Sequence, residues 1–308
     1  MNKILITGAS GYLGSHLCKF LAKTNHKIFG LHNTSEIPTT GIEKVKVDLV
    51  NYSDLNYLFK DIKPDFVVHL SAITPAIIST VDEKYVREIN VELTKQISIN
   101  SKTYNSFIIF ASSDLVYKDG ENLTEESELE PLTLYAQTKL AAEKIVSEKA
   151  KYYLILRFSL MYGFSISTHK TFFDHSFLQL YQNQPVSAFQ DQYRNALFVE
   201  DSANFISKLF EIKLKYHDIM NLCGWELLSR YEMVYRVAKT FGLNSDLIVK
   251  ISCDDFYEYK VPKYLNLNFD KMKEYNFIPR KYDEAINYLK DNFDDYKQYI
   301  FQVNRRST

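Results

Sequence analysis

Short apolar runs alternate with amphipathic stretches through the first half of the chain. KILIT (3–7), KIFGL (27–31), KVKVDL (44–49), DFVVHL (65–70), FIIFAS (107–112) and YYLILRF (152–158) have the length and the β-branched or aromatic content of buried strands. Between them, YLGSHLCKFLAKT (12–24) and SDLNYLFKDI (53–62) space their apolar residues as helices do. PLTLYAQTKLAAEK (131–144) reads as a further helix, entered through a proline-led turn. Strands buried on both faces and separated by helices predict an α/β fold built on a parallel, doubly wound sheet. After Tyr162 and Gly163 the pattern loosens, so loops and short helices are expected over 164–195. IMNLCG (219–224) then returns as a late strand, and SRYEMVYRVAKTFG and YDEAINYLKDNF predict helices in the tail. There is no repeat, and disorder is expected only for the final NRRST.

Composition narrows the class of partner. The 308 residues, 46% of them hydrophobic, suffice for one large α/β domain or for a domain with a smaller appendage. Lys and Arg number 37 against 38 Asp and Glu, spread along the chain. That balance leaves no footprint for nucleic acid or an anionic membrane, and points to a small-molecule ligand. Cys18, Cys223 and Cys253 are far apart and odd in number, which disfavours disulfides and a metal cluster and suits buried thiols. The chain opens straight into NKILITGASG and holds no apolar run of membrane-spanning length, so a soluble cytoplasmic protein is expected.

Directly after the first strand comes TGASGYLG, with Gly8, Gly11 and Gly14 three apart. Glycines at this spacing allow a tight strand-to-helix turn, close approach of backbone to a pyrophosphate, and close helix packing, while the helix N-terminus stabilises phosphate charge. With a strand before it and an amphipathic helix after it, the motif predicts a Rossmann-type dinucleotide site. The selector position, about 20 residues on, lies at the end of the second strand. There LHNTSE offers His32, Asn33, Thr34 and Ser35 where an NAD-binding site would place a carboxylate. A carboxylate repels a 2′-phosphate and these groups do not, so NADP(H) is favoured, with NAD(H) as the alternative. Asp48 and Leu49, after the third strand, are candidates for the adenine edge, though an Asp ending a strand also serves as a plain turn residue.

Tyr135 and Lys139, four apart near the start of a helix, share one face. An ammonium beside a phenol favours phenolate, so Lys139 is expected to lower the Tyr135 pKa toward a range useful for proton transfer. With 23 tyrosines, chance pairs at this spacing are common. Ser113, in FASSDLVY at the carboxyl end of the fifth strand, would project into the ligand crevice of an open α/β sheet. A hydroxyl there can hold a carbonyl oxygen while Tyr135 supplies a proton.

Together these residues resemble the extended short-chain dehydrogenases/reductases that act on nucleotide sugars. TGASGYLG, VVHLSA, INVELT, SSDLVY, YAQTK and LRFSLMYG match the motifs of that family over nearly the whole chain. SSDLVYKDG, EPLTLYAQTKLAAEK and VPKYLNLNFDKMKEYNF most resemble dTDP-4-dehydrorhamnose reductases and related 4-keto-6-deoxysugar reductases. The resemblance implies Ser113, Tyr135 and Lys139 as the catalytic triad. It implies Gly8, Ser10, Gly11, Tyr12, Leu13, Gly14, Leu70, Ser71, Ala72 and Asn90, with Tyr135 and Lys139, around the cofactor. It implies Thr74, Ser113, Asp114, Arg157 and Arg194 around a nucleotide-diphosphate sugar, a structural ion pair being the other reading of either arginine. It divides the chain into an NAD(P)-binding domain (1–163 plus about 196–224) and a smaller substrate-binding region (164–195 plus 225–308), and homodimers are common among such relatives. Leu115 stands where nucleotide-sugar dehydratases carry a Glu that manages elimination, which disfavours that activity. No cysteine lies beside Ser113 as in the epimerase-reductases, and Val261-Pro262 replaces the usual Arg-Pro. The expected reaction is NADPH-dependent reduction of a C4 ketone in deoxysugar biosynthesis for surface polysaccharide. The alternatives are a C4-epimerase with tightly held NAD and a non-catalytic, nucleotide-sensing regulatory protein.

Overall fold

Alternation of side chains along each strand decides the layering of this molecule. The computed structural model describes residues 1–257 and 259–301, so NRRST lies outside the described residues. Chain order runs β1 (Lys3–Thr7), α1 (Tyr12–Leu21), β2 (Lys27–His32), β3 (Glu43–Lys46), α2 (Tyr52–Ile62), β4 (Phe66–His69), α3 (Glu83–Arg87), α4 (Leu93–Tyr104) and β5 (Phe107–Ser113). It continues through β6 (Gly120–Leu123), α5 (Leu134–Lys149), β7 (Tyr152–Phe158), β8 (Met161–Tyr162), α6 (Phe172–Tyr181), β9 (Val186–Phe189), β10 (Tyr193–Asn195), β11 (Leu197–Phe198) and α7 (Val199–Lys208). The last third holds β12 (His217–Leu222), β13 (Leu227–Ser229), α8 (Arg230–Phe241), β14 (Ile248–Ile251), α9 (Cys253–Phe256), β15 (Tyr264–Leu267), α10 (Asp270–Glu274), α11 (Tyr282–Asp291) and α12 (Phe293–Ile300).

Seven strands form one sheet in the order β12-β7-β5-β4-β1-β2-β3. Each of its pairings is parallel. Ile4 and Ile6 of β1 pack with Leu13 and Leu17 of α1 and Ala203 and Ile206 of α7, whereas Leu5 packs on the other side with Phe59 of α2 and Ile97 of α4. Leu154 and Leu156 of β7 join the first layer and Ile155 the second. Both faces are therefore covered by helices, the doubly wound, Rossmann-like arrangement expected. The direction of sheet growth reverses between β1 and β4, and the crevice outside the carboxyl ends of those strands is where such sheets bind ligands.

The helices expected at 12–24 and 131–144 run Tyr12–Leu21 and Leu134–Lys149, and two strands are displaced from their apolar runs for physical reasons. The third strand is shorter than its apolar pattern, four residues on the sheet edge with Val45 only half-buried. The late strand starts and ends two residues earlier, because Gly224 leaves the sheet to pass the Ala196 carbonyl, from which a Cβ at 224 would lie 1.9 Å away. A second sheet, β13-β10-β15-β6, draws β6 from the segment before α5 and the rest from beyond residue 190. One apolar core runs unbroken from Ile4 to Ile300, and all three cysteines are buried and free.

Candidate active site

The glycine turn is built as its spacing predicts. Gly8 has φ of 68°, and a Cβ there would meet the Ser71 nitrogen at 2.8 Å. Gly14 lies in the first turn of α1 so close to the loop that a Cβ would sit 2.1 Å from the Gly8 oxygen and 2.8 Å from the Ala9 Cα. Both obstacles are backbone and cannot give way. Gly14→Ala is therefore expected to abolish cofactor binding in a fluorescence titration with NADPH and to lower Tm by several degrees. Gly11 is the N-cap of α1 and no side chain caps that end, which leaves the first-turn N–H groups facing the loop. This cradle fits a pyrophosphate. Ser10 lies half-buried in it; Leu13 is a core residue, and Tyr12 donates its hydroxyl to the Gly163 carbonyl at 2.9 Å, so at those two positions only backbone is offered to a ligand.

The segment after β4 is held against the loop from beneath. Thr7 Oγ1 accepts from the Leu70 and Ser71 nitrogens at 3.2 and 3.3 Å and contacts His69 Nδ1 at 2.7 Å, while His69 Nε2 lies 3.0 Å from Thr94 Oγ1. Burial pushes the His69 imidazole down to about 3, with Lys139 acting in the same direction, so this relay is neutral and structural. His69 sat in plain view within VVHLSA, but nothing in sequence separates a strapping histidine from a reacting one. Leu70, Ser71 and Ala72 thus border the cradle, and Thr74 beyond them is exposed. Asn90 Oδ1 accepts from Ile73 N at 2.7 Å, and its Nδ2 reaches Ile73 O and Thr138 Oγ1. Those bonds fasten the 70–73 segment, which borders the glycine cradle, to α5.

At the tip of the second strand, His32 ends β2 with its ring buried and Nδ1 without a partner among the described residues. Asn33 and Thr34 are exposed, and Ser35 Oγ accepts from Thr168. Asp48 is also exposed and accepts from Val50 N at 3.3 Å, a turn contact, and Leu49 packs toward the core.

The elements that carry Ser113, Tyr135 and Lys139 meet where β5 ends. Ser113 is its last residue; its Oγ accepts from Leu115 N and donates to Asp114 Oδ1, both at 3.2 Å. Ser159 Oγ donates to Asp114 Oδ2 at 3.2 Å, and Arg194 Nε lies 3.8 Å from the same oxygen. Burial raises the Asp114 pKa against these partners. Helix α5 starts behind an N-cap, Thr133, that accepts from Ala136 N, which sets Tyr135 and Lys139 on the first two turns, packed against β5 and the 114–116 turn. Tyr135 is half-buried. Its pKa moves opposite to the expectation: burial, and then the Asp114 charge, push it well above 10. The phenol is accordingly a proton donor in the ligand-free chain. Lys139 is buried with its Nζ 4.1 Å from the Phe110 ring centroid, and burial pulls it down to about 7 despite Glu143.

That lysine carries a stability signature. Below pH 7 it is charged in both folded and unfolded chains and its full desolvation penalty is present. Between about 7 and 10.5 the unfolded chain binds more protons, so stability climbs with pH. Lys139→Met is therefore expected to raise Tm at pH 6, with the advantage shrinking toward pH 10, in paired thermal melts; an equal shift at every pH would refute a displaced lysine pKa.

The two arginines fare differently from the substrate role expected of them. Arg157 is buried, its Nε and Nη2 bind Glu143 Oε1 and Oε2 at 3.0 and 2.7 Å, and its Nη1 reaches Tyr117 Oη and Glu125 O. It is a structural ion pair, and the expected contact with substrate is corrected on that ground. Arg194 donates from Nη1 and Nη2 to the carbonyls of Tyr193, Lys263 and Pro262, so it braces backbone and turns only its Nε edge to Asp114. Arg230, absent from the sequence-based set, stands near it.

Comparison with known proteins agrees with the fold and the motifs. The family model described as RmlD substrate binding domain matches residues 1–294. Methionine adenosyltransferase 2 subunit beta of Rattus norvegicus is 26% identical over 277 residues, 88% of this chain and 81% of that one. Spore coat polysaccharide biosynthesis protein SpsK of Bacillus subtilis is 25% identical over 295 residues, 93% of this chain and 96% of that one. The structure of dTDP-4-dehydrorhamnose reductase from Bacillus anthracis in complex with NADP covers 94% of this chain and 98% of its own, with a TM-score of 0.79 at 19% identity, a likeness of fold.

Proposed function

The chain belongs to the RmlD substrate binding domain family, and from that premise we propose that it is an NADPH-dependent reductase of the C4 ketone in a nucleotide-linked 4-keto-6-deoxyhexose. The observation that carries the reading is Asp114, which accepts a hydrogen bond from Ser113 and whose charge bears on Tyr135, so hydroxyl and phenol share one neighbour at the sheet's carboxyl edge. The glycine cradle, Leu70 to Ala72 and Lys139 would hold the dinucleotide, and residues 164–195 and those after 225 would hold most of the sugar nucleotide. A bound reduced nicotinamide supplies hydride to the carbonyl carbon. Ser113 turns its proton from Asp114 to the ketone oxygen and fixes the carbonyl's orientation. Tyr135, kept protonated by burial, donates as negative charge grows on that oxygen. The absence of a carboxylate at the β2 tip supports NADPH over NADH.

The test is oxidation of NADPH and of NADH in the presence of a panel of nucleotide-linked 4-keto-6-deoxyhexoses. Consumption of NADPH with at least one of them is expected; none with any of them sinks the reading. Similarity to a protein named as a subunit, methionine adenosyltransferase 2 subunit beta, keeps a second reading in view, a non-catalytic, nucleotide-sensing regulatory protein. Retention of Ser113, Tyr135 and Lys139 speaks for the enzyme. A C4-epimerase would instead purify with NAD bound and interconvert sugars without net change in cofactor.

A further inference from the structure

The antiparallel register of β10 and β13 sets Tyr193 opposite Ser229. Continued by one residue, it brings Arg230, first in α8, alongside Gln192. Arg230 Nε donates to Gln192 Oε1 at 2.7 Å, and its guanidinium lies 4.9 Å from the Phe172 ring centroid of α6. Those two contacts hold the fork from one edge and one face and leave its Nη end uncommitted among the described residues. Close by, Arg194 is buried with both Nη groups committed to carbonyls. The two guanidinium groups are near enough that Arg194, after burial, helps pull Arg230 down to about 10.

The local charge does not balance. Among the described residues, the carboxylate within ion-pair reach of this arginine pair is Asp114, 3.8 Å from Arg194, with Asp119 acting on Arg194 from farther away. The other groups acting on Arg230 are the Tyr257 phenol, which burial raises, and the Cys253 thiol, raised to about 12; both are neutral at ordinary pH. A buried and a half-buried guanidinium with one carboxylate in contact leave positive charge that a ligand's negative charge would offset. A guanidinium braced on its Nε and one face presents its remaining donors in the fork that fits phosphate oxygens. The pair also stands one residue from the chemistry, since Asp114 touches both Arg194 and Ser113.

We propose that Arg230 is the phosphate-contacting residue of a diphosphate cradle, with Arg194 behind it as a fixed positive field and Asp114 marking the side toward the sugar. The assignment deepens the reductase reading and rests on it for the identity of the ligand. It moves the anion contact from Arg157, which is enclosed, and from Arg194, whose donors are committed, to a residue on another element.

The experiment measures binding of dTDP and UDP, with thymidine and uridine as phosphate-free controls, to the full chain saturated with NADP. Wild-type protein is expected to bind the diphosphates and to be raised in Tm by them. Arg230→Met, which keeps the apolar stack on Phe172, is expected to weaken them by about 30-fold and to leave the nucleosides and NADP unchanged. Arg230→Lys should fall between, because it restores charge without the fork. Diphosphate affinity in Arg230→Met within about twofold of wild type, with NADP binding intact, overturns the cradle, as would failure of wild-type protein to bind either diphosphate. Arg230-dependent diphosphate binding in a chain that oxidises NADPH with no ketosugar would keep the cradle and refute the reductase, so the two failures are distinguishable.

Discussion

Tyr135→Phe is expected to lower NADPH-dependent ketosugar reduction by about 10²- to 10⁴-fold, the usual contribution of a positioned proton donor. The substitution removes one hydroxyl from a half-buried ring and leaves the glycine cradle and Lys139 in place, so NADPH affinity and Tm should stay near wild type. The pH dependence carries the mechanistic content. Burial and the Asp114 charge hold the phenol above its ordinary value, so it stays protonated and able to donate through the neutral range. Reduction should therefore show no loss on the tyrosine side up to about pH 9, whereas the reverse oxidation, which needs phenolate, should rise with pH. A Tyr135→Phe variant retaining a tenth or more of the wild-type rate would remove the tyrosine from the chemistry.

The largest stability effect is expected at Arg157. Its guanidinium forms a two-pronged pair with Glu143, whose Oε1 also accepts from Ser112 Oγ at 2.5 Å, and it stacks on Tyr117, whose hydroxyl continues to Asn221 Oδ1 at 2.7 Å. The network ties β5, α5, β7 and β12 together inside the protein. Arg157→Met would strand a buried carboxylate at a cost of about 3–5 kcal/mol, lowering Tm by on the order of 10 °C. Arg157→Met with Glu143→Met should recover much of that loss, because the penalty comes from the unpaired partner more than from the lost pair. KM for the sugar nucleotide should change little in the single variant at temperatures where it is folded. A Tm within about 2 °C of wild type together with a tenfold rise in KM would return Arg157 to the substrate.

Much of the fold was legible because it is encoded locally. The strand runs, the helix periodicity and the glycine spacing each follow from what neighbouring residues must do, and the parallel sheet follows from strands that are apolar on both sides. The motifs that carry Ser113, Tyr135 and Lys139 were legible for the same reason, and their elements do meet at the carboxyl edge of the sheet. The contacts of Asn90 were not, since its partners Ile73 and Thr138 lie on segments that only folding brings together.

Charge was the least legible property. An arginine in a strand reads the same whether it meets a carboxylate or a ligand, and Glu143 became the partner of Arg157 because α5 packs against β7. Arg194 and Arg230 are 36 residues apart in the chain and become neighbours through the pairing of β10 with β13. Spacing alone placed an ammonium on the phenol's face of the helix and predicted a lowered tyrosine pKa; the enclosed site reversed that direction through desolvation and a nearby carboxylate. Sequence alone therefore determined which elements form and which reactive groups they carry. Tertiary structure alone decided the charge state and partner of each group, because burial and electrostatic neighbours depend on segments far apart in the chain.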